Sequence, residues 1–459
     1  KPDGNYNPVE EIYLIIIKIL KKSFQFANKN KYIIKGISIS SVGEAGIPID
    51  KNYKPLIDII PWYDQRTEDI RNNFFKKNND IKIYKNTGLN LDHFYSVYKI
   101  LWIKKNKLNI YKKIYKWLPV NDYYAMKLTG NISTDYSQAM RTLLFDPKKL
   151  KWSKKMIGKF GIDKNILPKI INAGDKKGEF NDQIRNILKI KYDCVVAAGG
   201  HDHFVGIFAL GGFNKNTIVN SLGSAEAISI NTEKFFLNKN LEKGKFISGV
   251  FKTKTKANYY IVGSILTSGI IIDWFKKTFN IKSFRELNNM TKKIKDNKIL
   301  FFPQFEFSHS PINSLKTKGA ILGINRSTSI MDIYASILRC LSFDTKNALV
   351  FMIKNTKIKI NKIISSGGSV KNKYWMKMRA NIFDKNIYVD RNIENVSLGS
   401  AILAGLASNI YKDDNDAFEK INNNFLIIKK DKKEINNNNL LFNKYKKNIK
   451  KIVSLNNIL

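Results

Sequence analysis

The residues with the clearest capacity for chemistry lie between positions 199 and 224. Gly199-Gly200-His201-Asp202-His203 follows an apolar run over 194–198, and Gly211-Gly212 and then Ser221-Leu222-Gly223-Ser224 come soon after. Glycines at strand ends let a backbone approach a phosphate closely, and unpaired N–H groups in such turns bind anions. A carboxylate beside them, Asp202, reads as a base that takes a hydroxyl proton while the turns hold a phosphoryl donor. His201 and His203 flank it. No second ligand cluster accompanies them, so they read as loop or supporting histidines and not as metal ligands.

Other groups carry weaker signals. Trp62, Asp64 and Arg66 recur at period 2 and would share one face of an extended chain, where an indole wall, a carboxylate and a guanidinium suit a polyhydroxylated ligand. A surface turn with a packed Trp explains the same residues. Glu44 ends Ser40-Ser41-Val42-Gly43-Glu44 and reads either as an acceptor for sugar hydroxyls or as an exposed loop acid. Phe94-Tyr95-Ser96 precedes Lys99 and Trp102, and Asp135-Tyr136-Ser137 precedes Arg141-Thr142. Thr267-Ser268-Gly269 is by itself an ordinary helix start. Gly367-Gly368-Ser369-Val370-Lys371-Asn372 gains weight from following a buried strand and preceding a helix.

Positioning these groups requires alternating strands and helices. The periodicity predicts helices over 8–26, 64–75, 94–108, 111–128, 153–160 and 181–188, with a strand over 36–40. It then predicts a strand-turn-strand pattern over 194–230, a helix over 261–279 entered from Gly263, and a long amphipathic helix over 328–354. A strand over 360–365 and helices over 375–383 and 397–407 follow. Strands alternating with helices, with turns at strand ends, argue for α/β layers. From about 411 the chain is rich in Lys and Asn and reads as exposed helix and irregular chain with no assignable chemistry.

Composition bounds the rest. With 459 residues, of which 43% are hydrophobic, the chain can build two substantial domains. Its two cysteines, Cys194 and Cys340, make no disulfide framework and suit a reducing cytoplasm. No apolar run reaches the roughly 18 residues of a membrane helix, and no signal peptide is evident. The net charge of +41 would suit nucleic acid or anionic membranes. Lys, Asn, Ile, Tyr and Phe are all abundant, however, as A/T-rich codons dictate. Arg is scarce, and the lysines are spread along the whole chain. The charge therefore reads as composition, with no specific nucleic-acid partner.

Together these segments resemble the FGGY family of carbohydrate kinases, the group of glycerol kinase and xylulokinase, from about residue 6 to about residue 410. The resemblance implies a two-domain ribonuclease-H-like α/β fold of the actin/hexokinase superfamily with an interdomain cleft. Residues 1–210 would bind sugar and 211–459 nucleotide. It implies ATP-dependent phosphorylation of a sugar or polyol hydroxyl, with Asp202 as base and Mg²⁺ bridging ATP phosphates mostly through water. Glu44, Trp62, Asp64, Arg66 and Phe94 would then line the substrate, with Phe94 packing more than binding. Gly223 and Ser224, Ser268 and Gly269, and Gly367, Gly368 and Asn372 would hold the nucleotide. Asp135-Tyr136-Ser137 with Arg141 would mainly determine the fold.

Gly319-Ala320-Ile321-Leu322-Gly323-Ile324, Asp332-Ile333 and Ser336 match the family's C-terminal signature, but Arg339 and Cys340 depart from it, as does Ser308-His309-Ser310. Kinases of this superfamily open with a β-hairpin bearing an Asp-x-Gly-Thr phosphate loop, which this sequence does not contain. Two expectations follow: a piece of a longer active kinase, or a relative that binds nucleotide or sugar without turnover. The particular sugar is left open, and so is a homodimer.

Overall fold

The computed structural model describes residues 6–77, 80–283, 285–287, 298–307, 310–312, 315–391, 394–421 and 425–455. The chain divides into two compact units. Unit 1 comprises Lys1–Gly211, Ser248–Tyr259 and Glu394–Asn422, and unit 2 comprises Gly212–Ile247, Tyr260–Ile393 and Asn423–Leu459. The first crossing falls one residue from the boundary expected at 210, but neither unit is contiguous in sequence. The reason is packing. The helix Asn395–Ala407 carries small residues that let it lie close on unit 1. A Cβ on Gly399 would sit 2.3 Å from the Val205 carbonyl oxygen, and Ser400 Oγ meets Ser40 Oγ at 2.8 Å.

Unit 1 opens with α1 (Val9–Lys29), whose buried Ile17, Leu20 and Phe24 recur at helical spacing. Next come β1 (Gly36–Ser41), α2 (Ser96–Asn106), α3 (Val120–Thr129), α4 (Tyr136–Met140), β2 (Lys176–Glu179), β3 (Val195–His201) and α5 (Asp202–Ala209). β3 is the centre of a sheet ordered β1-β3-β2, parallel to β1 and antiparallel to β2. The stretch 194–230 is thus not strand-turn-strand throughout, because α5 stands within it. Phe204, Val205, Ile207 and Phe208 are all buried, so α5 is apolar on every side and shows no amphipathic period. The predicted helix 111–128 is also divided, by a strand Lys116–Pro119 ahead of α3.

Unit 2 contains β4 (Thr217–Leu222), β5 (Glu226–Thr232), the end of β6 (Ala257–Ile265), α6 (Gly269–Thr278), α7 (Ile330–Thr356), β7 (Lys362–Ser366), α8 (Lys373–Phe383), β8 (Ile387–Asp390), β9 (Phe425–Ile428) and α9 (Lys432–Leu455). Its strands lie in the order β6-β5-β4-β7-β8-β9, with β4, β7 and β8 parallel. The helix expected over 261–279 is instead a strand followed by a helix. Ile261, Val262 and Ile265 suit a pleated surface. Gly263 lies within the strand because the Phe246 ring fills its side-chain position, 2.4 Å from where a Cβ would stand.

The chain after 411 is not a solvent tail. Leu441, Phe442, Tyr445, Ile449 and Val453 of α9 are buried, and the Tyr445 hydroxyl donates to Asp344 at 2.7 Å. Lys and Asn on its outer face conceal this stripe in the sequence. Among the described residues, no helix is long and apolar enough to cross a membrane.

Candidate active site

In unit 1 two parallel strands deliver the acidic candidates to the same end of the sheet. Ser40 pairs with Gly200 and Ser41 with His201, after a register shift between Ile39 and Ser40. Glu44 follows β1 by three residues, and Asp202 directly follows β3. The carboxyl ends of parallel strands are where open α/β sheets bind ligands. The shift requires glycine at 199, since a Cβ there would lie 2.0 Å from the Ile39 carbonyl oxygen.

Asp202 opens α5 with its carboxylate about one-third exposed, and Oδ1 accepts the His203 amide at 2.6 Å. His201 Nδ1 lies 3.5 Å from the same oxygen. Burial pushes the His201 imidazole down to about 3, against the opposing pull of Asp202, and that of His203 to about 4, so both rings are neutral near pH 7.

Glu44 is buried, at φ +65°, and its carboxylate accepts from Arg141 Nε and Nη2. Its carbonyl accepts the Ser96 hydroxyl at 2.8 Å. It is therefore not an exposed loop acid. Arg141, which the sequence reading gave mainly to the fold, lies 5.2 Å above the Tyr95 ring and holds the Glu44 carboxylate.

The Trp62–Arg66 segment departs from the extended chain expected there. Asp64 caps a 3₁₀ turn, Gln65–Thr67, and binds Arg66 through both carboxylate oxygens, Nε to Oδ1 at 2.7 Å and Nη2 to Oδ2 at 2.9 Å. Both residues are buried, and the Arg66 guanidinium lies over Tyr6 and Trp102 at 4.3 and 4.9 Å. Trp62 stays exposed, with Tyr63 edge-on to it. A side chain that caps its own turn satisfies the local backbone before any ligand, and this is why period 2 fails here. Phe94 is half-buried, 4.7 Å from Tyr95. Its carbonyl accepts the ammonium of Lys99, which is fully buried. Burial lowers the Lys99 ammonium to about 8, although Glu44 and Asp64 favour its charge.

Unit 2 holds a pocket of about 380 Å³ lined by Gly223, Ser224, Gly269, Gly368 and Asn372 together with Ile272, Asp273, Tyr334, Ser369, Lys371 and Trp375. The three expected nucleotide segments, up to about 150 residues apart, meet there. Their ends are brought together by parallel pairing, Ser221 with Ser366, which sets Gly367 against Leu222, directly before Gly223. Gly269 and Ile270 amides donate to the carbonyls of Gly223 and Ser224, both at 3.1 Å. A peptide unit is planar and trans, so the N–H groups of the same two units point away from α6. A Cβ at Gly368 would meet nothing within 4 Å, which leaves open backbone on which a flat group can lie.

Two expected residues stand behind the lining. Ser268 is buried with Oγ 3.4 Å from Glu226, and Gly367, at φ +100°, supports the turn against Leu222. Asn372 caps α8 through the Trp375 amide and gives its own amide to Tyr334. Asp273, Tyr334 and Trp375 were not found by sequence. One helical turn separates Asp273 from Gly269, a signal that was there to be read. Nothing local marks the two rings.

Of the departures from the family pattern, Arg339 and Cys340 are buried on α7, where Cys340 Sγ accepts the Phe301 amide at 3.3 Å. Neither is part of the pocket lining. Ser308 and His309 lie outside the described residues. Among the described residues, no group of three or more His, Cys, Asp or Glu could hold a metal ion.

Family profiles match both halves of the chain. The N-terminal domain of the FGGY family of carbohydrate kinases matches residues 5–209, and the C-terminal domain matches residues 226–408. The chain is 27% identical to the xylulose kinase of Staphylococcus xylosus over 399 residues, covering 84% of this chain and 79% of that one. It is 29% identical to glycerol kinase 2 of Thermotoga maritima over 420 residues, covering 89% and 82%. Among solved structures, the Plasmodium falciparum glycerol kinase with ADP superposes with a TM-score of 0.88 at 25% identity, covering 98% of this chain and 91% of that one.

Proposed function

Because the chain belongs to the FGGY family of carbohydrate kinases, we propose that it transfers the terminal phosphoryl group of ATP to a hydroxyl of a sugar or polyol with Asp202 as the general base. The family's reaction is that phosphorylation. What is proposed for this chain is which residues perform it. As the hydroxyl oxygen bonds to the γ-phosphorus, the bond from phosphorus to the β-bridging oxygen breaks and ADP leaves. The hydroxyl proton passes to the Asp202 carboxylate.

The observation that carries the reading is the meeting of three distant glycine-bearing segments on one pocket. Ser224 and Ala225, which carry the N–H groups of the two peptide units bound to α6, offer them to phosphate oxygens, and Gly368 offers open backbone to the nucleoside. That a glycerol kinase of the same fold was crystallised with ADP supports a nucleotide as a ligand of this chain. Glu44, fixed by Arg141, accepts from substrate hydroxyls, and Trp62 and Phe94 provide walls. Asp64 and Arg66 neutralise one another and hold the 3₁₀ turn that follows Trp62. Mg²⁺, which these kinases generally require, finds no cage of carboxylates among the described residues. Phosphate oxygens and water are its natural ligands.

The test is Asp202→Asn assayed for ADP release over a panel of polyols and ketoses. The variant should keep ATP binding and lose sugar-dependent turnover by about 10²–10⁴-fold. Turnover near the wild-type rate would end the assignment. A wild-type chain that binds ATP without sugar-dependent ADP release would instead mark a binding protein.

A further inference from the structure

The short segment from Asp135 to Thr142 touches the end of β1 with Glu44, the end of β3 and the start of α2. Asp135, buried, caps α4 by accepting the Ser137 amide at 2.7 Å and the Gln138 amide at 3.2 Å. Its Oδ2 also takes the Ser137 hydroxyl at 2.6 Å. That hydroxyl in turn accepts the His201 amide at 2.9 Å. The Gln138 amide reaches the end of β1 at Ser41 and Val42, and Arg141 holds the Glu44 carboxylate. The carbonyls of Arg141 and Thr142 accept the amides of Ser96 and Val97.

The contact with β3 is the closest of these. Gly200 has φ +147°, and a Cβ there would stand 2.8 Å from Ser137 Oγ and 3.3 Å from Asp135 Oδ2. The glycine at 200 therefore exists to admit this serine and this carboxylate against the backbone, two residues before the proposed base. A hydroxyl that donates to a carboxylate is polarised and accepts more strongly from a third group. The last strand amide before Asp202 is thereby pinned by a buried carboxyl group acting through one hydroxyl.

We infer that Ser137, oriented by Asp135, is a positioning residue for Asp202: it fixes the backbone from which the carboxylate meets the reacting hydroxyl. This rests on the base assignment above, and it adds that the assignment depends on a residue that touches neither substrate nor nucleotide. Angular error at a base lowers turnover without changing how tightly either substrate binds.

Ser137→Ala removes only the hydroxyl and leaves the Asp135 cap on both amides intact. We expect kcat to fall by about tenfold with both KM values within about twofold of wild type. Amide hydrogen exchange, read on a peptide spanning 199–204, should quicken by about tenfold while peptides elsewhere in unit 1 keep wild-type rates. Unchanged exchange in that peptide overturns the anchor, and faster exchange with wild-type kcat overturns its catalytic consequence. A general speeding of exchange across unit 1 would mean a fold residue only and would also overturn the inference. Exchange does not need turnover, so it judges Ser137 even if Asp202→Asn shows that the base lies elsewhere.

Discussion

Arg379 and Glu226 stand 153 positions apart, and their fully buried side chains meet with Nη2 2.5 Å from Oε1. The same carboxylate accepts from Asn220 and Thr345, and its other oxygen lies 3.4 Å from Ser268 Oγ. The pair thus ties α8, β4, β5 and α7 to the turn that starts α6. Replacing Glu226 with Gln leaves a buried guanidinium uncompensated. The expected loss is about 3–5 kcal/mol of unfolding free energy, measured by denaturant titration. KM for ATP should rise while KM for sugar holds. A variant as stable as wild type would contradict the account.

Gly367 and Gly368 separate support from contact. At φ +100°, alanine at 367 is strained and its Cβ would lie 2.4 Å from the Leu222 carbonyl oxygen, so Gly367→Ala should lose about 1–3 kcal/mol of stability. Alanine at 368 meets no protein atom within 4 Å. Gly368→Ala should keep wild-type stability and weaken ADP binding by about tenfold in calorimetric titration, a cost of about 1.4 kcal/mol. Equal ADP affinity in that variant would remove the nucleoside from this backbone.

Arg141→Gln tests the substrate side. It leaves Glu44 buried without its cation and at an unfavourable φ. KM for the sugar should rise by at least about tenfold, with a stability loss of about 3–5 kcal/mol. Arg141→Lys should recover part of the stability and little of the KM, since one ammonium does not reproduce two guanidinium contacts. Unaltered sugar KM in both variants would reduce Glu44 to a structural acid.

Acid titration of stability follows from three buried groups. Burial holds the folded imidazoles of His201 near 3 and His203 near 4, against about 6.5 for a free imidazole, so below pH 6.5 the unfolded chain binds two protons that the folded chain refuses. Their stability is present above pH 6.5 and lost as pH falls toward those folded values. Asp135 runs the other way. Burial, with Asp122 nearby, raises its carboxyl to about 7, so the folded chain binds that proton first. Between pH 5 and 6 the net difference is about one proton, or a slope of about 1.4 kcal/mol per pH unit. His203→Asn should flatten the curve, and Asp135→Asn should roughly double its slope. Denaturation midpoints across that window decide, and identical slopes in all three proteins would refute the assignment.

How much was legible depended on whether local sequence or tertiary contact decides. The turns at Gly199-Gly200, Gly223-Ser224 and Gly367-Gly368 could be read, because glycines at strand ends are local necessities. The helix α5 could not, because burial on all sides erases its period. β6 was taken for a helix because Gly263 looked like a helix start. Its real cause is the Phe246 ring, which only the folded chain brings there. Asp64 and Arg66 were legible as charged groups facing a ligand but not as partners of each other. The Ser137 anchor was invisible, since it joins residues 64 positions apart.

The return of 394–422 to unit 1 has a consequence for how the protein is born. The helix Asn395–Ala407 completes the packing around β1 and α5, so unit 1 is finished only after most of unit 2 has been made. A ribosome must pass residue 407 before the environment of Asp202 can close, and until then a half-built sheet waits with part of its apolar face uncovered.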